Sequence, residues 1–183
     1  MHKQLAALGL LLGLAGGAQA AIVTVSTQYL VDFSTTAVAD ATGLPAGSSV
    51  TLSAIFDDAN LIGNEVTLVP GSPTDSFTLN FGTYTFTAAS DNWGGPVLQT
   101  QATPSGLSFS GLLFETLFNI GAGAATGEYL LSFSGTSFQL TPSGNTLDFV
   151  ATGAVSAVPL PGALPLLLAG LGGLGVVARR KTQ

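Results

Sequence analysis

Val50-Thr51-Leu52-Ser53-Ala54-Ile55-Phe56 sets the fold class. Apolar side chains at 50, 52, 54 and 56 alternate with Thr51, Ser53 and Ile55, a period of two that belongs to a strand with one face in a core. The period returns downstream, with Leu147, Phe149, Ala151 and Val155 set against Thr146, Asp148 and Thr152. In Phe77, Leu79 and Phe81 the apolar positions are odd, whereas Tyr84 and Phe86 are even, so the register flips near Gly82, where a turn or bulge is expected. Ser134-Gly135-Thr136, between Tyr129–Phe133 and Phe138–Leu140, reads as a tight hairpin loop. Pro70-Gly71-Ser72-Pro73, Gly94-Gly95-Pro96 and Thr141-Pro142-Ser143-Gly144 punctuate the strands. Leu112 to Ile120 (LLFETLFNI) is the one stretch whose pattern admits a helix as well as a strand. Short strands with Gly/Pro turns predict an all-β domain, an antiparallel β-sandwich or jelly roll.

Charge is segregated along the chain. The formal net charge is −6, yet the four basic residues are Lys3, Arg179, Arg180 and Lys181, all near the ends. Every one of the ten acids lies between Ala21 and Ala157, so that segment carries −10 with no cation to offset it. Nucleic-acid binding needs Lys and Arg to displace counterions from phosphate, and this segment has neither, which excludes that class. With no cysteine, the domain must hold together by packing and hydrogen bonds without disulfides.

The ends read as targeting segments that flank one domain. Met1-His2-Lys3, the apolar run Leu5 to Leu14, and small residues at Ala18 and Ala20 form a signal-peptide pattern, with cleavage expected between Ala20 and Ala21. The apolar run is shorter than the ~20 residues that cross ~30 Å of hydrocarbon. At the other end Val158-Pro159-Leu160-Pro161-Gly162 precedes an uncharged stretch from Ala163 to Ala178 and then Arg179-Arg180-Lys181. Sixteen helical residues span only ~24 Å, a marginal transmembrane helix, and the basic cluster behind it orients the tail with the acidic domain outside the cytoplasm. The expected organisation is a signal peptide at 1–20, an acidic ectodomain at 21–157 and a sorting segment at 158–183. Topology alone fits either a lasting anchor or a processed signal.

The Val158-Pro159-Leu160-Pro161-Gly162 motif, apolar span and Arg-Arg-Lys tail resemble the PEP-CTERM sorting signals of Gram-negative bacteria, and most of all their VPLPA-CTERM variant. Gly162 stands where the variant usually has alanine. The resemblance covers about 26 residues and implies an exosortase-type processing enzyme as partner. It further implies an inner-membrane intermediate, then a place at the cell surface or in an extracellular matrix, often one rich in exopolysaccharide. It implies nothing about what the ectodomain does.

The chemistry of the ectodomain is bounded by absence. Between Ala21 and Ala157 there is no His, Cys, Lys or Arg, so a Ser-His-Asp or Cys-His arrangement, a Schiff-base lysine and a cationic phosphate clamp all lack a member. Three readings follow: a structural or adhesive surface protein without catalytic residues, a carbohydrate-binding module, and a glycoside hydrolase using two carboxylates across a sugar. Asp57, Asp58, Asn60, Asn64 and Glu65 form the densest oxygen cluster, the one candidate for Ca²⁺. An EF-hand loop starting at Asp58 would need a polar residue at Ile62 and a glutamate at Val69, so the alternative there is a polar turn. No other cofactor is expected. Trp93, beside Asp91 and Asn92 and before Gly94-Gly95, is the candidate for stacking on a sugar ring, against the alternative of a partly buried core residue.

Overall fold

The computed structural model describes residues 21–103, 106–121, 123–144 and 148–155. The segments expected to be a signal peptide (1–20) and a sorting tail (158–183) lie outside the described residues, as do Thr146 and Leu147. Among the described residues no helix is long and apolar enough to cross a membrane.

The described residues are all-β, with ten strands: β1 (Ile22–Ser34), β2 (Ser49–Asp57), β3 (Glu65–Thr67), β4 (Ser76–Phe81), β5 (Tyr84–Thr87), β6 (Val97–Thr103), β7 (Gly106–Ile120), β8 (Gly127–Gly135), β9 (Ser137–Pro142) and β10 (Ala151–Val155). One short helix, α1 (Thr36–Thr42), joins β1 to β2. All ten strands hydrogen-bond into a single antiparallel sheet in the order β3-β6-β7-β8-β9-β10-β1-β2-β4-β5. The all-β antiparallel class is as expected, and the strands form one continuous curled sheet. The reason is the length of β1, whose residues Tyr29 to Ser34 pair with β10 while Ile22 to Leu30 pair with β2, so the ladder never breaks between the halves.

The sheet still makes a core, because it curls until its limbs face each other. β4 lies six places from β7 in the order, which in a flat sheet would be roughly 28 Å at ~4.7 Å per strand. Instead the Phe77 and Phe114 rings sit 5.3 Å apart, Phe86 and Phe118 5.1 Å, and Phe81 and Phe138 5.7 Å. A register shift between Val31 and Phe33 of β1 adds local twist where the limbs meet. Tyr29 is buried among Phe109, Phe133 and Phe138, and its hydroxyl donates to the Gly135 carbonyl at 3.3 Å.

The turn expected at Gly82 and the hairpin loop expected at Ser134-Gly135-Thr136 are both two-residue hairpins. Phe81 pairs with Tyr84 across Gly82-Thr83, and Ser134 with Ser137 across Gly135-Thr136, so inward positions pass from odd to even numbers. Gly82 and Gly135 take φ +62° and +64°, the left-handed conformation such loops require of their first residue. Gly82 has a second constraint: a Cβ there would land on the Thr42 carbonyl oxygen, which accepts from Thr83 N at 2.9 Å. α1 ends at Gly43, in the left-handed conformation with its N–H on the Ala39 carbonyl. The helix therefore docks on the β4–β5 turn, with Val38, Thr42 and Leu44 buried.

LLFETLFNI resolves as strand, the C-terminal part of β7, paired with β8 along its whole length and with β6 at Leu112 and Leu113. Leu112, Phe114, Thr116 and Ile120 are buried, and Leu113 and Leu117 face outward, 40 % and 47 % exposed. Ala151 to Val155 is the last described strand.

Candidate functional site

The loop between β5 and β6 is built around one carboxylate. Asp91 Oδ2 accepts the backbone N–H of Trp93 at 2.9 Å and of Gly95 at 3.1 Å, while its Oδ1 accepts the N–H of Glu115 at 2.9 Å. Asn92 N–H donates to the Glu115 carbonyl at 2.7 Å. The β6–β7 ladder ends at Val97 and Leu113, so Asp91 and Asn92 fill the next ladder position of β7, at Glu115. On its far side the loop is fixed by Leu68 N–H on the Pro96 carbonyl, 2.9 Å. Gly95, at φ +146°, allows close approach there, since a Cβ would strike the Leu68 carbonyl.

Trp93 is thereby presented rather than buried. It is 80 % exposed, and its indole Nε1–H donates to Glu115 Oε1 at 3.3 Å. Beneath and beside it runs the outer face of β7 and β8, where Leu113 lies opposite Ser134, Glu115 opposite Ser132, and Leu117 opposite Leu130. Trp93, Leu113, Glu115, Ser132 and Ser134 line an open groove of about 340 Å³. A flat apolar ring, an exposed leucine, two hydroxyls and a carboxylate are what a sugar needs, since its C–H face stacks while its hydroxyls exchange hydrogen bonds.

The reading of Trp93 as a loop residue holds, and the alternative of a core tryptophan does not. Tyr84 packs edge-on to Phe118 at 4.9 Å, half-buried against the core. The sequence alone does not mark Asp91 and Glu115 as the residues that hold Trp93. The Asp-Asn-Trp-Gly-Gly run is a local signal for the turn, but nothing local ties it to a glutamate 22 residues beyond Trp93.

The oxygen cluster has a different form. Asp57 Oδ1 accepts from Ala59 N–H at 2.9 Å, capping the single 3-10 turn Asp58–Asn60. Asp58 Oδ1 accepts from Ala21 N–H at 2.7 Å, and Glu65 Oε1 accepts from Gln99 Nε2 at 2.9 Å. The Asn64 backbone carbonyl accepts both the N–H and the hydroxyl of Thr100. Each carboxylate thus serves a separate partner, and among the described residues no group of three or more His, Cys, Asp or Glu converges as a metal site would. A larger concavity of about 670 Å³ lies beside edge strand β3, between Ile62, Val69 and Asp75. It is bigger than the Trp93 groove but lacks any aromatic platform, so volume alone does not mark it as the site.

No family model, characterised protein or solved structure matches the chain.

Proposed function

We propose that this is an exported cell-surface or matrix protein, sorted through its C-terminal signal, whose ectodomain is adhesive and holds neutral glycan chains on the Trp93 platform. The sorting half rests on the signal-peptide pattern at Met1 to Ala20, the Val158 to Gly162 motif and the basic residues Arg179 to Lys181. An exosortase-type enzyme and the membrane are the partners this requires. The adhesive half rests on one observation: a tryptophan 80 % exposed yet fastened by Asp91 and Glu115. Large aromatics held in solvent mark binding surfaces, because ordering them there gains nothing for the core. Ten acids and no cation between Ala21 and Ala157 favour neutral over uronate or sulfated polymers. Hydrolysis is the weaker reading, because both Asp91 oxygens already serve backbone donors rather than a sugar.

The mature protein from its native host should bind neutral oligosaccharides on a glycan array. Stacking that hides roughly 100 Å² of indole contributes about 2.5 kcal/mol at ~25 cal/mol/Å², so Trp93→Ala should weaken binding at least ~10-fold. Binding unaffected by Trp93→Ala would defeat the platform, and sugar release would move the assignment to a hydrolase. For the sorting half, the C-terminal peptide should end before Gln183. Mature protein still ending at Gln183 in the membrane would leave a plain anchor.

A further inference from the structure

We infer that Asp58 is the receptor for the α-ammonium that export creates at Ala21, so that removal of the signal peptide closes an ion pair which clamps the start of β1. The inference rests on the reading of Ala20–Ala21 as the cleavage point. Ala21 N–H donates to Asp58 Oδ1 at 2.7 Å, and Asp58 N–H returns the bond to the Ala21 carbonyl at 3.0 Å. The pair sits one step beyond the first β1–β2 match, Ile22 with Asp57. In the uncleaved chain the donor is a neutral peptide N–H. Hydrolysis of the Ala20–Ala21 bond adds one water, leaving a carboxylate on Ala20 and an amine on Ala21 that is protonated near neutral pH. The nitrogen then carries a full positive charge at the same short distance from the carboxylate, and a neutral hydrogen bond becomes a charge-assisted one.

The setting makes this charge singular. No lysine, arginine or histidine lies between Ala21 and Ala157, so the new terminus is the only cation that cleavage adds to an acidic domain. The neighbouring carboxylate, Asp57, is turned to Ala59 N–H, which leaves Asp58 as the partner. The contact also falls on the end of the sheet where β1 would otherwise fray. β1 bridges both limbs, so fixing Ala21, the residue just before it, stabilises the strand on which the single-sheet architecture depends.

The test uses the full mature chain in detergent, with and without acetylation of its amines by acetic anhydride, in wild type and in Asp58→Asn. The peptide mass of the N-terminus is read first. A terminus other than Ala21 removes the cleavage reading and the proposal with it. With Ala21 confirmed, acetylation should lower the wild-type Tm by about 2 °C, the scale of a partly exposed ion pair in a domain of this size. Asp58→Asn should show almost no such drop. Lys181 is the only side-chain amine in a chain that still keeps its tail, and any effect of blocking it there appears equally in both proteins. Equal drops in wild type and variant, or none in either, would overturn the ion pair while leaving the cleavage reading intact.

Discussion

Replacing Asp91 with alanine should loosen the Trp93 platform without dissolving the sheet. The change removes three acceptor contacts, to the N–H groups of Trp93, Gly95 and Glu115. Water can take over at Trp93, which is exposed. The Gly95 and Glu115 contacts are part-buried, and a hydrogen bond to a charged group in such a place contributes about 1.5–3 kcal/mol. With some rescue by solvent, the expected loss is about 2–4 kcal/mol, or roughly 10 °C in Tm. Asp91→Asn keeps one acceptor oxygen and should lose about half as much. Trp93 is the only tryptophan, so the loop has its own optical reporter. Its fluorescence anisotropy should fall in Asp91→Ala at temperatures well below the melt, while the far-ultraviolet circular dichroism stays β-like. Glycan affinity should fall with it, because a ring that must be ordered on binding pays for that order in affinity. A Tm within ~2 °C of wild type together with unchanged anisotropy would refute the scaffold role.

Two further outcomes test the packing. Gly82→Ala should cost about 2–4 kcal/mol, since it combines a left-handed φ of +62° with a Cβ placed on the Thr42 carbonyl, whereas Gly63→Ala, at φ +67° in open space, should cost about 1 kcal/mol by urea titration. Equal costs at the two glycines would show that α1 does not dock on the β4–β5 turn. Burial raises the Tyr29 phenol well above its ordinary 10.0, so the folded state keeps a proton that the unfolded state releases. The contribution is complete below about pH 10 and is lost as pH rises beyond it, by up to ~1.4 kcal/mol per unit, a slope that Tyr29→Phe should reduce in alkaline melts.

How much of this was legible follows from where each interaction is encoded. Val50, Leu52, Ala54 and Phe56 announced a strand because one face of β2 is dry and its burial alternates residue by residue. The odd-to-even change at Gly82 was equally plain, since a two-residue hairpin needs only the local run of sequence. The single sheet was not legible: it depends on Tyr29 pairing with Val155, more than a hundred residues apart, and no local pattern records that β1 is bonded on both edges. Helix α1 was missed for another reason. TAVADAT is seven residues with no room for an amphipathic period, and it is held by Gly43 and by the turn at Gly82 rather than by propensity.

The platform lay between these cases, and β7 shows why. The aromatics of LLFETLFNI and the glycines beside it leave helix and strand both open, and leucines on both parities blur a period of two. In a strand whose outer face served only to meet water, positions 113 and 117 would be polar. Leu113 and Leu117 instead stand exposed on either side of Glu115, whose carboxylate holds the Trp93 indole and whose backbone holds the loop. Folding gains little from those leucines where they are, so their presence is a departure from pattern that stability does not explain. Such departures concentrate where a surface is used for something. The feature that makes β7 hard to read as a strand is therefore the same one on which the proposed platform rests.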